Sequence, residues 1–239
     1  MKIKLFQLIV AMSGISVLSA CTSSGEIDNI FKRKATWASF LSGEDIARAC
    51  AENSGTHIRF TYNGNRAKQV RFYDLVGMGE GWDLRSRVLE AGVPVKAMTM
   101  GEIMAAPNPV DKSRRLSEAQ AQAVLSGLKS AMTKKGVRPG ERIFSPSYFW
   151  LAASCQDGVF TFRAWDYPDR GFADAEFAPY LFDYDPIDIP VSQPKGDQRI
   201  TPITYGPFKR ELDNFEHYEL SVKESRVILG QTFPPDRNK

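Results

Sequence analysis

The chain reads as an α+β fold: an antiparallel sheet built from hairpins, two or three packed helices, and a long loop arm rich in proline and aromatic residues. Three observations predict it. Two apolar segments, one alternating with polar residues and one apolar on both faces, are each followed by a tight-turn signal, Asn63-Gly64-Asn65 in one case and Asp157-Gly158 in the other, and such pairs supply the positive φ angles of a short hairpin. Between them, Ser117 to Gly136 carries the caps and spacing of a helix. After the second hairpin, seven of the fourteen prolines fall between Pro168 and Pro207, interleaved with Phe172, Phe177, Tyr180, Phe182, Tyr184 and Tyr205. Prolines exclude long helices and central strands there, and the aromatics exclude plain disorder.

The folded part opens at Trp37. Ser42 is placed to cap a helix with Glu44 and Asp45 in its first turn and Asn53-Ser54-Gly55 at its end. Ile46 and Cys50 lie four apart, so Cys50 is expected to point inward. Ile58, Phe60 and Tyr62 then alternate with Arg59 and Thr61, and a partner strand runs from Val70 to Val76. Gly77, Gly79 and Gly81 precede a third strand, Trp82 to Leu89. These glycines lack the Lys-Ser/Thr pair of a phosphate-binding loop, so a turn between antiparallel strands is expected. Pro94, Pro107 and Pro109 punctuate a region with no assignment beyond a helical turn over Gly101 to Ala106.

Ser117 and Gln120 form a capping-box pattern. Ala121, Val124, Leu125, Leu128 and Met132 make one apolar stripe, and Lys134, Lys135 and Gly136 close the helix. In the second hairpin, Tyr148 to Cys155 and Val159 to Trp165, both faces are apolar, as for central strands covered on two sides. A strand from His217 to Leu229 and a polar tail from Pro234 end the chain.

The N-terminus states an address. Lys2 and Lys4 precede an apolar run from Leu5 to Leu18 that is interrupted by Gln7, Ser13, Gly14 and Ser16. It is too short for a membrane span, which takes roughly 20 apolar residues, and has the layout of a secretory signal. Leu18-Ser19-Ala20-Cys21 resembles the lipobox of bacterial lipoproteins. The resemblance implies cleavage before Cys21, diacylation of its sulfur and acylation of the new amino group. Thr22 in the next position implies passage to the outer membrane, facing the periplasm. The expected organisation is a signal peptide over 1–20, a lipidated tether over 21–36, one globular α+β domain over 37–233 and a tail over 234–239. As a flexible coil the tether would span roughly 20 Å.

With Cys21 lipidated, Cys50 and Cys155 remain, an even pair in an exported chain and so a candidate disulfide. Of 239 residues, 43% are hydrophobic and 25% charged, ordinary values for a globular chain with a real core. Lys2 and Lys4 are two of the 31 basic residues, which leaves 29 against 28 acidic from Cys21 onward. So balanced a chain lacks the basic excess of nucleic-acid binders.

No catalytic constellation is legible. The two histidines, His57 and His217, have neither a nucleophile elbow nor metal-ligand spacing. Asp183, Asp185 and Asp188 lack the glycine and late glutamate of a calcium loop. The expected function is a lipid-anchored, non-enzymatic binding or assembly component without cofactor or metal. Its partners are the membrane, through Cys21, and another envelope protein, met by arm aromatics Phe177, Tyr180, Phe182 and Tyr184. The alternatives are a cell-wall or glycan hydrolase using paired carboxylates such as Asp174 and Glu176, and a saccharide or small-ligand module using aromatics such as Trp82, Trp150, Trp165, Tyr148 and Tyr167.

Overall fold

Strand β1 (His57–Gly64) lies inside the large sheet and is buried from Ile58 onward. Ile58, Phe60 and Tyr62 line one apolar core, while Arg59 and Asn63 are buried on the other face through hydrogen-bonded partners. The computed structural model describes residues 37–52, 55–66, 68–79, 81–90, 110–196 and 217–233. After β1 the chain meanders through β2 (Gln69–Met78), β3 (Gly81–Glu90) and β4 (Val110–Leu116). It then forms a helix and the short β5 (Arg142–Phe144), and returns as the hairpin β6 (Tyr148–Gln156) and β7 (Val159–Asp166). β6 pairs with the free side of β1, giving a six-stranded antiparallel sheet in the order β4-β3-β2-β1-β6-β7. The fold is α+β, as the sequence predicts. β4 lies in the stretch that sequence leaves unassigned, and Gly101 to Ala106 lie outside the described residues.

Both turn signals sit at hairpins, by different means. Asp157 and Gly158 both adopt positive φ, the two-residue turn expected. In the first hairpin Asn63 still pairs with Val70, and the turn is made by the residues after it, with Asn65 in the left-handed region. Asn63 instead donates to the carbonyls of Ser145 and Ser147.

On one face of the sheet Phe72, Phe149, Leu151, Ala153 and Ala164 form a core with Trp37, Phe40, Leu41, Ile46 and Cys50. A second, three-stranded sheet that begins with β5 caps that core with Tyr218, Leu220, Val222 and Val227. Here the single strand expected from His217 to Leu229 is a hairpin, β8 (His217–Val222) and β9 (Val227–Phe233). The exposed Lys223 to Arg226 make its turn, closed by Lys223 N donating to Arg226 O. α1 (Glu44–Glu52) buries Ile46 and Cys50. Ser42 does not cap it. Its hydroxyl donates to the carbonyl of Ala38 and accepts from Val227 N, so it ties residues 37–42 to β9. Gly43 separates the two helical segments at φ +66°, so close to β6 that a Cβ would stand 2.3 Å from that of Ala153. Cys50 meets Cys155 of β6 in a disulfide with an S–S distance of 2.05 Å.

A charged network joins α1 to the same face. The Arg59 guanidinium, stacked on Phe40, holds both Asp45 oxygens at 2.9 and 3.0 Å and Asp74 at 2.9 Å. His57 Nε2 lies 3.1 Å from Asp74. Burial raises the Asp74 pKa, but the His57 hydrogen bond and the Arg59 charge outweigh it and hold the carboxyl below its ordinary range.

The other face is covered by α2 (Glu118–Thr133) and the arm, around Phe60, Tyr62, Leu75, Leu84, Trp150 and Trp165. Both halves of the capping box at Ser117 and Gln120 are formed. The expected glycine cap at the far end is absent: Lys134 ends the helix in extended conformation, and Gly136 instead passes close to Ala164 O and Arg163. The arm contains a 3-10 turn (Phe172–Asp174) and α3 (Ala178–Tyr184), a seven-residue helix with Pro179 in its first turn, where no backbone donor is lost. Beyond α3 it is pinned to β1 and β2: Tyr62 OH donates to Ser192 O at 2.5 Å, Gln69 to Pro190 O at 3.0 Å, and the fully buried Arg71 to Asp185 at 2.5 Å.

The arm enters at Gly171, at φ +78° and so near α2's exit that a Cβ would lie 1.9 Å from Lys135 O. Gly171→Ala is therefore expected to cost about 2 kcal/mol or more, since both backbone strain and a carbonyl clash oppose it. Thermal melts followed by circular dichroism check this: a drop of roughly 5 °C or more is expected, and an unchanged melt would contradict the close approach.

Candidate binding groove

α2 uses only part of its apolar stripe to cover the sheet. Ala121, Val124 and Leu128 are buried as expected, joined by Gly127 and Ala131. Gly127 sits where the arm crosses: a Cβ there would lie 2.8 Å from Phe177 N. The arm therefore takes one flank of the helix. On the other flank Leu125 and Met132 stay partly open, and a groove of about 730 Å³ runs beneath them. Such a volume is ordinary for a ligand cleft, roughly 300–1,000 Å³.

The opposite wall comes from one end of the large sheet. Trp82, the second residue of β3, projects to the α2 side, its indole Nε1 donating to Glu118 Oε2 at 2.8 Å in the first turn of α2. Gly77, paired with Trp82 across the β2–β3 hairpin, leaves room for the ring: a Cβ there would stand 3.3 Å from it. The β6–β7 hairpin supplies Gln156, Asp157, Val159 and Thr161, and Thr56 precedes β1. Val159 is 63% exposed, the most open large apolar side chain of the described residues.

The floor is thus aliphatic and aromatic, and the rim is polar. Gln122, Ser126, Lys129 and Thr133 line it along α2, at spacings that put them on one side of the helix. Lys129 and Asp157 are its only charges, one of each sign, and neither takes part in an ion pair among the described residues. Hydrogen bonds from Gln122 and Trp82 hold the Glu118 carboxyl below its ordinary pKa, so it stays ionised and keeps the indole oriented. Glycoside hydrolysis takes two facing carboxylates, and this lining holds one. The chemistry on offer is desolvation of apolar groups with a few polar contacts at the edge.

Of the residues singled out in the sequence, Trp82 lines the groove and the partner-binding candidates of the arm are placed elsewhere. Phe177 is fully buried against Phe60, Trp150 and Trp165 and presents nothing to a partner. Phe182 packs on Tyr62, Tyr73 and Trp150. Tyr184 lies partly buried beneath Arg114, and Tyr180, 40% exposed, stacks on Tyr184. Asp185 is consumed by Arg71, Tyr73 and Ile187 N, and Glu176 by Lys134. The His57 ring meets Asp74 at 3.1 Å. Cys21 lies outside them. No helix among the described residues is long and apolar enough to cross a membrane. Of the sugar-stacking candidates, Trp150 and Trp165 are buried and Trp82 lines the groove.

Comparison with protein-family models, with curated proteins and with solved structures finds no match for this chain.

Proposed function

We propose that the chain is a lipid-anchored, non-enzymatic component of the bacterial envelope that holds a segment of another envelope protein in the α2 groove. The observation behind this is the open half of the α2 stripe, Leu125 and Met132, facing Trp82 and Val159 across a cleft. Buried apolar area drives association, and a methionine wall adapts to varied side chains. Gln122 to Thr133 cover about 17 Å of helix at 1.5 Å per residue, the length of roughly five extended residues. An elongated cleft of that length suits a stretch of polypeptide better than a compact solute. The one cation and one carboxylate on its rim give no preference for a charged occupant. The lipobox resemblance supplies the membrane, and the +2 threonine favours the outer one.

Photo-crosslinking residues placed at Ser126 and Lys129 in intact cells are expected to give one discrete protein adduct, and the exposed Arg138 position none. Leu125→Asp with Val159→Asp should abolish the adduct with the melting temperature within a few degrees of wild type. Equal labelling at all three positions, or an adduct insensitive to the double variant, would refute the groove. Anchoring has its own test. Cys21→Ala should move the protein from the membrane pellet to the soluble fraction, since three acyl chains far exceed the single chain that binds marginally.

A further inference from the structure

We propose that the outer edge of β4 takes up an extended, acidic segment of another protein as a seventh strand of the large sheet. β4 pairs with β3 on one side only, and no strand lies on its other side among the described residues. Seven consecutive residues, Val110 to Leu116, pair with β3 without a bulge. The edge is therefore uninterrupted, with a row of backbone donors and acceptors aimed outward. Asp111 through Arg115 are exposed on both faces of the strand.

The charge on this edge selects the occupant. Asp111 is neutralised by Arg85 at 2.5 Å and Arg87 at 3.3 Å. Lys112, Arg114 and Arg115 are left uncompensated: Lys112 and Arg115 join no ion pair among the described residues, and Arg114 lies over the Tyr184 ring. Alternation puts Lys112 and Arg114 on one face and Arg115 on the other. A second copy pairing here would bring cation against cation, which disfavours self-association. An acidic strand would meet a cation on either face while its backbone completes the ladder, the mode of strand addition. The surplus is local, since the chain from Cys21 on carries only one net positive charge, 29 basic against 28 acidic residues. The inference does not depend on the groove being filled.

The test uses a labelled heptapeptide, Thr-Glu-Val-Glu-Val-Glu-Thr, and a version N-methylated at alternate backbone amides with identical side chains. Fluorescence anisotropy with the mature chain carrying Cys21→Ser should show saturable binding of the first that weakens with salt, and no binding of the second. Lys112→Glu with Arg115→Glu should weaken binding by about tenfold or more, and Ser126→Trp, which fills the groove, should leave it unchanged. If the charge-reversed chain fails to fold, the two peptides on the unaltered edge decide alone. Equal binding of both peptides would reduce the edge to a charge effect and overturn the proposal. So would no binding at low salt, or adhesion to phosphatidylglycerol–phosphatidylcholine vesicles with indifference to the peptide.

Discussion

Replacing Cys50 and Cys155 together by alanine is expected to lower the melting temperature by roughly 10–15 °C, at about 2–4 °C per kcal/mol for a chain of this size. The two residues are 105 apart in sequence. Closing a loop of that length removes enough freedom from the unfolded chain to be worth about 4–5 kcal/mol in the chain-entropy model. The enclosed segment holds β1 to β4, α2 and β5, so the bond joins the start of the domain to β6 after most of the sheet has been laid down. Both cysteines are buried in the same apolar cluster, which makes alanine the less disruptive replacement than serine. Calorimetry of the double variant beside the oxidised wild type measures the effect. A shift of only a degree or two would mean that packing of Ile46 and Leu41 holds α1 without the bond.

The sequence was most legible where local chemistry and tertiary role agree. Asp157-Gly158 turns because both residues tolerate positive φ, and nothing in the fold competes. Ser117 and Gln120 cap α2 because their partners are three residues away. Cys50 reaches Cys155 because helix and strand periodicities each point inward. A local signal misleads where a long-range partner overrides it. Ser42 has the chemistry of an N-cap, but its hydroxyl serves β9, 185 residues away. Asn63 looks like a turn residue but is buried as a donor to the β5–β6 connection. β4, with its run Asp-Lys-Ser-Arg-Arg, has no apolar alternation to read, since both its faces are exposed. The groove was half visible. Leu125 and Met132 were in the predicted stripe, but periodicity cannot say which flank of a helix the arm will cover. The small residue at Gly127 was the one local hint, because a close crossing needs it. The arm aromatics misled for a general reason: composition cannot separate an interface core from a domain core, which share residue types.

Asp185→Ala is expected to destabilise the fold by about 3–5 kcal/mol, while Arg71→Met combined with Asp185→Leu restores most of the loss. Arg71 rises from β2 beneath the arm with its side chain 1% exposed, and its guanidinium is held by Gln69, Asp185 and the Ile189 carbonyl. Asp185 accepts further hydrogen bonds from Tyr73 OH at 2.8 Å and Ile187 N at 2.9 Å. Burial first, and then the Asp185 charge, push the Tyr73 pKa up, so the phenol remains a neutral donor. Removing the carboxylate leaves a guanidinium in the interior with no counter-charge, at the cost of its full desolvation. Removing both charges leaves a gap that methionine and leucine can fill. The same single variant should free the arm locally, because it removes the bonds to Arg71, Tyr73 and Ile187 N and leaves residues 185–196 to the contacts of Tyr62 and Gln69 with Ser192 and Pro190 and of Arg71 with the Ile189 carbonyl. Hydrogen exchange reads this directly: amides of Ile189 to Ser192 should lose protection in Asp185→Ala and regain it in the double variant, while Ile187 N, whose acceptor is the Asp185 carboxylate, stays unprotected in both. If the single variant melts with wild type, the pair is dispensable. If the double variant is as unstable as the single, the loss lies in packing and not in the orphaned charge.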